Sequence, residues 1–373
     1  MPQATVPNPR TWSTGDYVTV PRLRADVADA VAFLGQRPYF VGQRSLGDAW
    51  ASGTALGLPM DIELTDYWGG HLAPPASGTG NYWAPVPGWY LCDARIAWNY
   101  TSTTAAPFYA GFQGLTSGAA FGPTYGAPSV NGSGSGTTSR SVDLIEQVNG
   151  GSPNGSGDYI QPVARQDSGG TVDLNSSAQN LPTVSVRWAC ATSGTEPLSA
   201  PPLTAVPSPI TSAWLNANVR DTIRYLIYPP CGKAYYTAGS SSLANSSLSS
   251  PAVVPLTTTA LDTYGGFTTG SSAKYTIPVA GRYLVAGTVS LASSSTTTYY
   301  AAGLYVNSSA LYWGGITRFA GSSLVGGASV TRRIRFNAGD TVQLVAAQAS
   351  GGSIAYNTTA ANQTRLVILW EGL

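Results

Sequence analysis

Charge is what this sequence has least of. Asp, Glu, Lys and Arg together make up 10% of it, against a typical share of roughly 25%. The formal net charge of +1 gives no long-range pull toward nucleic acid or acidic membranes. No stretch approaches the ~18 consecutive apolar residues of a membrane-spanning helix, so membrane insertion is not expected. The opening MPQATVPNPR lacks the apolar core of a signal peptide, and export by the ordinary secretory route is not expected. Cys92, Cys190 and Cys231 make no disulfide framework and lack metal-ligand spacing; they read as small buried hydrophobes or free thiols. His71 is the only histidine, which excludes a two-histidine metal motif. No G-x-S-x-G context accompanies it, and within YWGGHLAPP it reads as a surface-loop residue. Asp61, Glu63 and Asp66 lie in LPMDIELTDYW, where Asp61 and Glu63 read as the exposed face of a strand rather than as a glycosidase pair. The expectation is a non-enzyme with no metal and no cofactor.

What is present in quantity is Gly, Ser, Thr, Pro and aromatic residues, with 43 Gly, 26 Pro, 21 Tyr and 10 Trp. A disordered chain would lack those aromatics. Hydrophobic residues at 43%, set in short spaced runs, indicate a folded all-β protein, and 373 residues suffice for two domains.

The chain repeats itself. GDYIQPVARQDSGGTVDLN at 157–175 and GDTVQLVAAQASGGSIAYN at 339–357 agree in ten of nineteen columns, 182 positions apart. Upstream, VPGWYL ending at Leu91 meets VAGRYL ending at Leu284 at an offset of 193. Downstream, Trp188 meets Trp370 at 182, so the first copy carries eleven extra residues, placed by turn chemistry near VNGGSPNGSG or VNGSGSGTTS. Leu23, Val27, Asp29, Val31, Leu34 and Pro38 match Leu215, Val219, Asp221, Ile223, Leu226 and Pro230 at 192. One module is therefore written twice.

Each copy opens with a leader whose apolar residues recur at helical spacing, predicting helices near 20–36 and 212–227 that end before Pro38 and Pro230. Helices this short are marginal alone and need a partner. Leu23, Val27, Ala30 and Leu34 also fit the 4-3-4 spacing of a coiled-coil seam, which makes Leu23, Val27, Leu34, Leu215, Val219 and Leu226 candidate oligomer contacts. A helix folded back on its own body is the other reading. The bodies alternate at period two, with about eight short strands each, and RLVILW at 365–370 is apolar on both faces, as in a strand covered on both sides. The predicted fold is all-β: two tandem jelly-roll sandwiches, each preceded by a short α-helix. The leader and helix take residues 1–40, the first jelly roll 41–198, linker and second helix 199–230, and the second jelly roll 231–373.

Gly281-Arg282-Tyr283, Gly339-Asp340 with Val342 and Leu344, and Leu366 to Trp370 resemble the jelly roll of complement-head and tumour-necrosis-factor domains. Gly88-Trp89-Tyr90, Gly157-Asp158 and Val184 to Trp188 repeat the pattern. That resemblance implies a homotrimer. The leaders, with Trp12, Leu215-Asn216 and Arg220-Asp221, look like the phrase that opens many tail proteins of phages infecting actinobacteria; the first copy departs, with Leu23-Arg24 and Ala28-Asp29. The implied function is a virion component, a minor tail protein, tail fibre or tail-tip adhesion protein, assembled in the bacterial cytoplasm beside other virion proteins. A head decoration or capsid fibre is the alternative, and a secreted carbohydrate-binding module the competing class. Tyr299, Tyr300, Tyr312 and Trp313 are candidate contacts for a host-surface glycan, with core or interface filling as the other reading. Trp98, Tyr100, Phe108, Tyr109 and Phe112 are the aromatic cluster of the first copy, which favours the shared structural role.

Overall fold

The computed structural model describes residues 7, 10–16, 19–23, 27–47, 49–71, 80–99, 106–116, 119–126, 129–131, 137–147, 157–175, 180–192, 211–237, 241–292, 298–319, 326–358 and 363–372. Two antiparallel jelly-roll sandwiches follow one another, each introduced by a short helical leader. Among the described residues each half has thirteen strands rather than about eight. The surplus consists of two- and three-residue strands that pair with one another or with the long strands.

In the first sandwich one sheet runs Ile62–Asp66, Tyr39–Gln43, Thr183–Cys190, Gly88–Asn99, Thr137–Gln147. In the second the order is Thr258–Asp262, Cys231–Tyr235, Arg365–Gly372, Gly281–Leu291, Gly326–Phe336, the same arrangement. The opposing sheets are built on Ala106–Thr116 with Tyr159–Gln166, and on Thr298–Val306 with Thr341–Gln348. Alternation sets what each strand buries: Tyr90, Cys92, Ala94, Ile96 and Trp98 point into the first core, Tyr283, Val285, Val289 and Leu291 into the second. Fully burying side chains of this size contributes about 1.5–3 kcal/mol each. Gly287 interrupts the second series because a Cβ there would strike the Leu344 side chain.

The sequence anchors coincide in space. Gly88 and Gly281 have φ of 154° and 153°, and each lies against the indole Nε1 of its own tryptophan, Trp188 or Trp370. Tyr90 and Tyr283 each donate a 2.7 Å hydrogen bond to a carbonyl four residues back, Val86 and Val279. Gln147 pairs with Gly88 and Phe336 with Gly281, an offset of 189. Of the eleven extra residues, seven therefore fall after the Thr137–Gln147 strand, in VNGGSPNGSG. The other four fall before Tyr125, which stands opposite Gly111 as Trp313 stands opposite Gly303, so VNGSGSGTTS carries none of the insertion.

The repeated phrase is a cradle around a buried glutamine. Gln166 Nε2 donates to the carbonyls of Trp50 and Gly170 at 2.8 and 2.7 Å, and its Oε1 accepts from Ser168 N at 2.7 Å. Gln348 repeats this with Leu243 O, Gly352 O and Ser350 N. One primary amide satisfies three main-chain groups that would otherwise be buried without partners. That is why Gln and Ser-Gly-Gly recur together.

The second sandwich's last strand is covered on both sides, as its composition implies. Leu366 and Ile368 face its own core. Val367 and Leu369 join Leu284, Ala286 and Cys231 in a separate apolar cluster with Trp89, Leu91, Val142, Leu144 and Cys190 of the first sandwich. The two jelly rolls thus meet sheet face to sheet face.

The leaders depart from continuous α-helices. The first is described at Val20–Leu23 and Asp29–Gly35, and residues 24–26 lie outside the described residues. The second runs Ser212–Leu215 and Asp221–Ile227 around a π-helical turn, Asn216–Arg220. Thr211 caps it, accepting from Trp214 N at 3.2 Å. Within the widened turn, Asn218 Nδ2 donates to Trp214 O and the Thr222 hydroxyl to Asn218 O, side-chain bonds that compete with the helical ladder. Asn216 is engaged from outside: it accepts from Trp12 N at 2.7 Å and donates to Trp12 O at 2.8 Å.

Candidate functional site

Where the sandwiches meet, they leave a crevice of about 510 Å³ lined by guanidiniums from both: Arg37, Arg140 and Arg187 of the first, Arg332 and Arg333 of the second. Strand geometry brings them together. Arg140 and Arg187 project from outer positions of the sheet that packs on the partner sandwich, Arg332 and Arg333 come from its edge strand, and Arg37 follows the first helix. Asp93 engages Arg140 through both carboxylate oxygens, which raises the Arg140 pKa. Glu371 bridges the sandwiches, 2.8 Å from Arg187 and 2.9 Å from Arg333. Burial alone would raise the Glu371 carboxyl, but the hydrogen bonds and charges of these two arginines hold it below the usual range.

Two cations remain uncompensated. Among the described residues no carboxylate lies within 4 Å of Arg37 or Arg332. Arg37 is held over the Trp188 ring at 5.8 Å, and burial, then the neighbouring charge of Arg187, lowers its pKa. Arg332 donates to the carbonyls of Trp313 and Thr331 at 2.6 and 3.2 Å. Five guanidiniums thus face two carboxylates. On the same wall Tyr67, 62% exposed, meets Tyr39 edge-on at 6.0 Å.

Beside the crevice the interface encloses a charge cluster. Asp143, with its side chain 2% exposed, lies 2.9 Å from Lys233 Nζ. Arg365 Nε is 3.3 Å from the other oxygen of Asp143, at ion-pair distance without hydrogen-bond alignment. Lys233 also donates to Leu144 O at 2.8 Å. None of these residues stands out in the sequence; Asp143 and Lys233 are ninety positions apart and each looks like an ordinary strand residue.

The sequence candidates fare differently. His71 is buried rather than a surface-loop residue: its ring stacks on Phe40 at 4.5 Å, and Nδ1 lies 3.3 Å from Glu63. Burial lowers its pKa, opposed by Glu63 and Asp66. Asp66 accepts from His71 N at 2.8 Å, and Asp262 accepts from Phe267 N at 2.8 Å in the corresponding turn, so His71 stands where the second copy has phenylalanine. Asp61 accepts from Ser45 N at 2.7 Å. These acids organise turns, and among the described residues no group of three His, Cys, Asp or Glu is arranged to hold a metal. All three cysteines are buried and free.

Among the aromatics, Tyr300 is a correction: at 2% exposure it fills the second core and presents no face to a sugar. Tyr299 is half-buried and donates to Ser246 O, Trp313 is half-buried over Gly303, and Tyr312 is 40% exposed. Trp98, Phe108, Tyr109 and Phe112 are buried; Tyr100 lies outside the described residues. Much of the helix stripe packs within the chain, with half-buried members. Ala30, Phe33, Ile223 and Ile227 share the first core, with Val27, Leu34 and Val219 packed against it. Leu215 is buried, Leu226 is half-buried, and the Leu23 side chain lies outside the described residues. The second helix is a wedge: Ile223 and Ile227 face the first sandwich, while Tyr225 meets Trp370 of the second at 5.1 Å.

No protein-family model matches the chain, and no curated protein matches it. Solved structures similar to it include the globular domain of zebrafish complement 1qA, 12% identical, covering 38% of this chain and 96% of that one with a TM-score of 0.29. Murine APRIL is 10% identical over 38% and 98%, TM-score 0.28. Eiger TNF from S. frugiperda is 14% identical over 38% and 94%, TM-score 0.26.

Proposed function

We propose that this chain is a non-enzymatic structural protein of a bacteriophage virion, a minor tail, fibre or tail-tip component assembled in the bacterial cytoplasm. The observation that carries this reading is the leader clasp. The leader residues that resemble phage tail proteins, scattered in sequence, are physical partners: the Trp12 main chain is held at both ends by Asn216. Arg220 adds a 3.0 Å bond to Thr11 and pairs with Asp221 at 2.6 Å. These bonds tie the first leader to the second across some two hundred residues. Mass spectrometry of purified virions, followed by antibody-labelled electron microscopy, tests the reading. Absence of the protein from intact particles overturns it.

Self-association as a homotrimer belongs to the same proposal, with other virion proteins as further partners. Val31 and Leu64 support it, exposed at 56% and 54%, with Leu64 on an edge strand of the first sandwich. Light scattering is expected to give three chain masses; a mass near 38.6 kDa overturns it. Contact with a host glycan, if the tail position holds, falls to Tyr312, the most exposed of the four aromatics.

A further inference from the structure

We propose that the crevice between the two jelly rolls is a binding site for a sugar-sized ligand carrying a phosphate or carboxylate group. The reading does not depend on where the protein works. A surface site with five guanidiniums and two carboxylates is electrostatically incomplete. Arg37 and Arg187 repel one another in a partly desolvated setting, where screening is weak, and among the described residues no carboxylate neutralises Arg37. The interface does not need this surplus to hold together. Its apolar cluster, the Asp143 cluster and the Glu371 bridge already join the sandwiches.

An oxyanion between Arg37, Arg187 and Arg332 would offset that repulsion. Guanidiniums suit the task because their planar donor forks match phosphate and carboxylate oxygens. Among the described residues, two of the three, Arg37 and Arg332, have no carboxylate partner to give up. The volume of about 510 Å³ lies within the ordinary range of small-ligand pockets and exceeds what a bare inorganic ion fills. Exposed Tyr67 offers a ring face for the ligand's body, and the Ser185 side chain lines the wall between. Since both sandwiches contribute arginines, the ligand would bind their closed arrangement and stabilise it.

Isothermal titration of the full chain with glucose 6-phosphate, glucuronate, inorganic phosphate and glucose tests this. Expected are saturable binding of the first two, weakened by added salt, weaker binding of inorganic phosphate, and none of glucose. Arg332→Gln removes a cation at the mouth of the site and is expected to raise Kd about tenfold, the loss of one charge-assisted hydrogen bond. Arg37→Gln should do at least as much; if its packing on Trp188 proves essential for folding, Arg332→Gln and the double variant with Arg333→Gln carry the test. Failure of both sugar acids to bind overturns the proposal. So does binding of glucose at equal strength, binding of inorganic phosphate as tight as that of glucose 6-phosphate, or unchanged affinity in a folded Arg332→Gln protein.

Discussion

The Asp143 carboxylate of the first sandwich lies 2.9 Å from the Lys233 ammonium of the second, sealed at an interface where its side chain is 2% exposed. Ion pairs taken out of water add little net stability over an apolar contact, but removing one partner strands the other. Asp143→Asn leaves Lys233 and Arg365 facing a neutral amide. Urea denaturation is expected to show a loss of about 3–5 kcal/mol, with the sandwiches melting at separate midpoints. Adding Lys233→Met should recover part of it; an unchanged midpoint for Asp143→Asn would show that the cluster is solvated.

Gly88→Ala and Gly281→Ala test the equivalence of the copies. Each puts a Cβ at a φ near +154° against an indole nitrogen. Each is expected to cost upward of about 1–3 kcal/mol, the usual scale for backbone strain, by comparable amounts in calorimetry. A large loss at one position and none at the other would mean that the two tryptophan anchors are not equivalent.

Gln166→Leu and Gln348→Leu keep the approximate shape of the side chain and remove the cradle's hydrogen bonds. Each strands two carbonyls and one N–H at a cost of about 1–3 kcal/mol per stranded group. Hydrogen exchange should reveal the loss first at Ser168 and Ser350. Wild-type protection at those amides would leave the repeated phrase without its structural reason.

One imidazole and one carboxyl, both partly buried, contribute to the acid sensitivity. His71 has a lowered pKa in the fold, so the unfolded chain binds a proton at higher pH than the native one. Stability is therefore expected to be full above the unfolded value of about 6.5 and to fall as pH drops below it. His71→Phe, copying Phe267, should fold and flatten that slope in urea midpoints measured between pH 7 and 5. The same slope in the variant would assign the effect elsewhere. Glu371, also lowered, holds its contribution above the unfolded value of about 4.3 and loses it as pH falls through its folded pKa. Glu371→Gln should remove that second, more acidic step.

The duplication and the fold class were legible because their signals are local and repeated. Gly88 and Gly281, Trp188 and Trp370, Gln166 and Gln348 each meet a requirement of backbone geometry or polar satisfaction that recurs in both copies. Strand alternation likewise separates Tyr283 and Val285 from their neighbours without any knowledge of the rest. The two-faced apolar strand at 365–370 announced that something covers its outer side.

What covers it was decided only in three dimensions. An apolar face carries no label for its partner, so the same stripe on the leader helices fits a seam between subunits and a wedge between sandwiches; here Ile223 and Tyr225 fill the wedge. Periodicity assigns Tyr300 and Tyr312 alike to an aromatic-rich hairpin, while the opposing sheet buries one and leaves the other exposed. Charge behaves in the same way. Arg37, Arg187 and Arg332 are far apart in a chain of net charge +1; strand pairing within one sheet brings Arg37 to Arg187, and Arg332 joins them only because two sheets pack face to face. Residue types and their spacing set the modules by themselves, since those rest on short-range sterics and hydrogen bonding. The site arises from surfaces that meet after folding, and that meeting depends on shape and desolvation across the whole molecule.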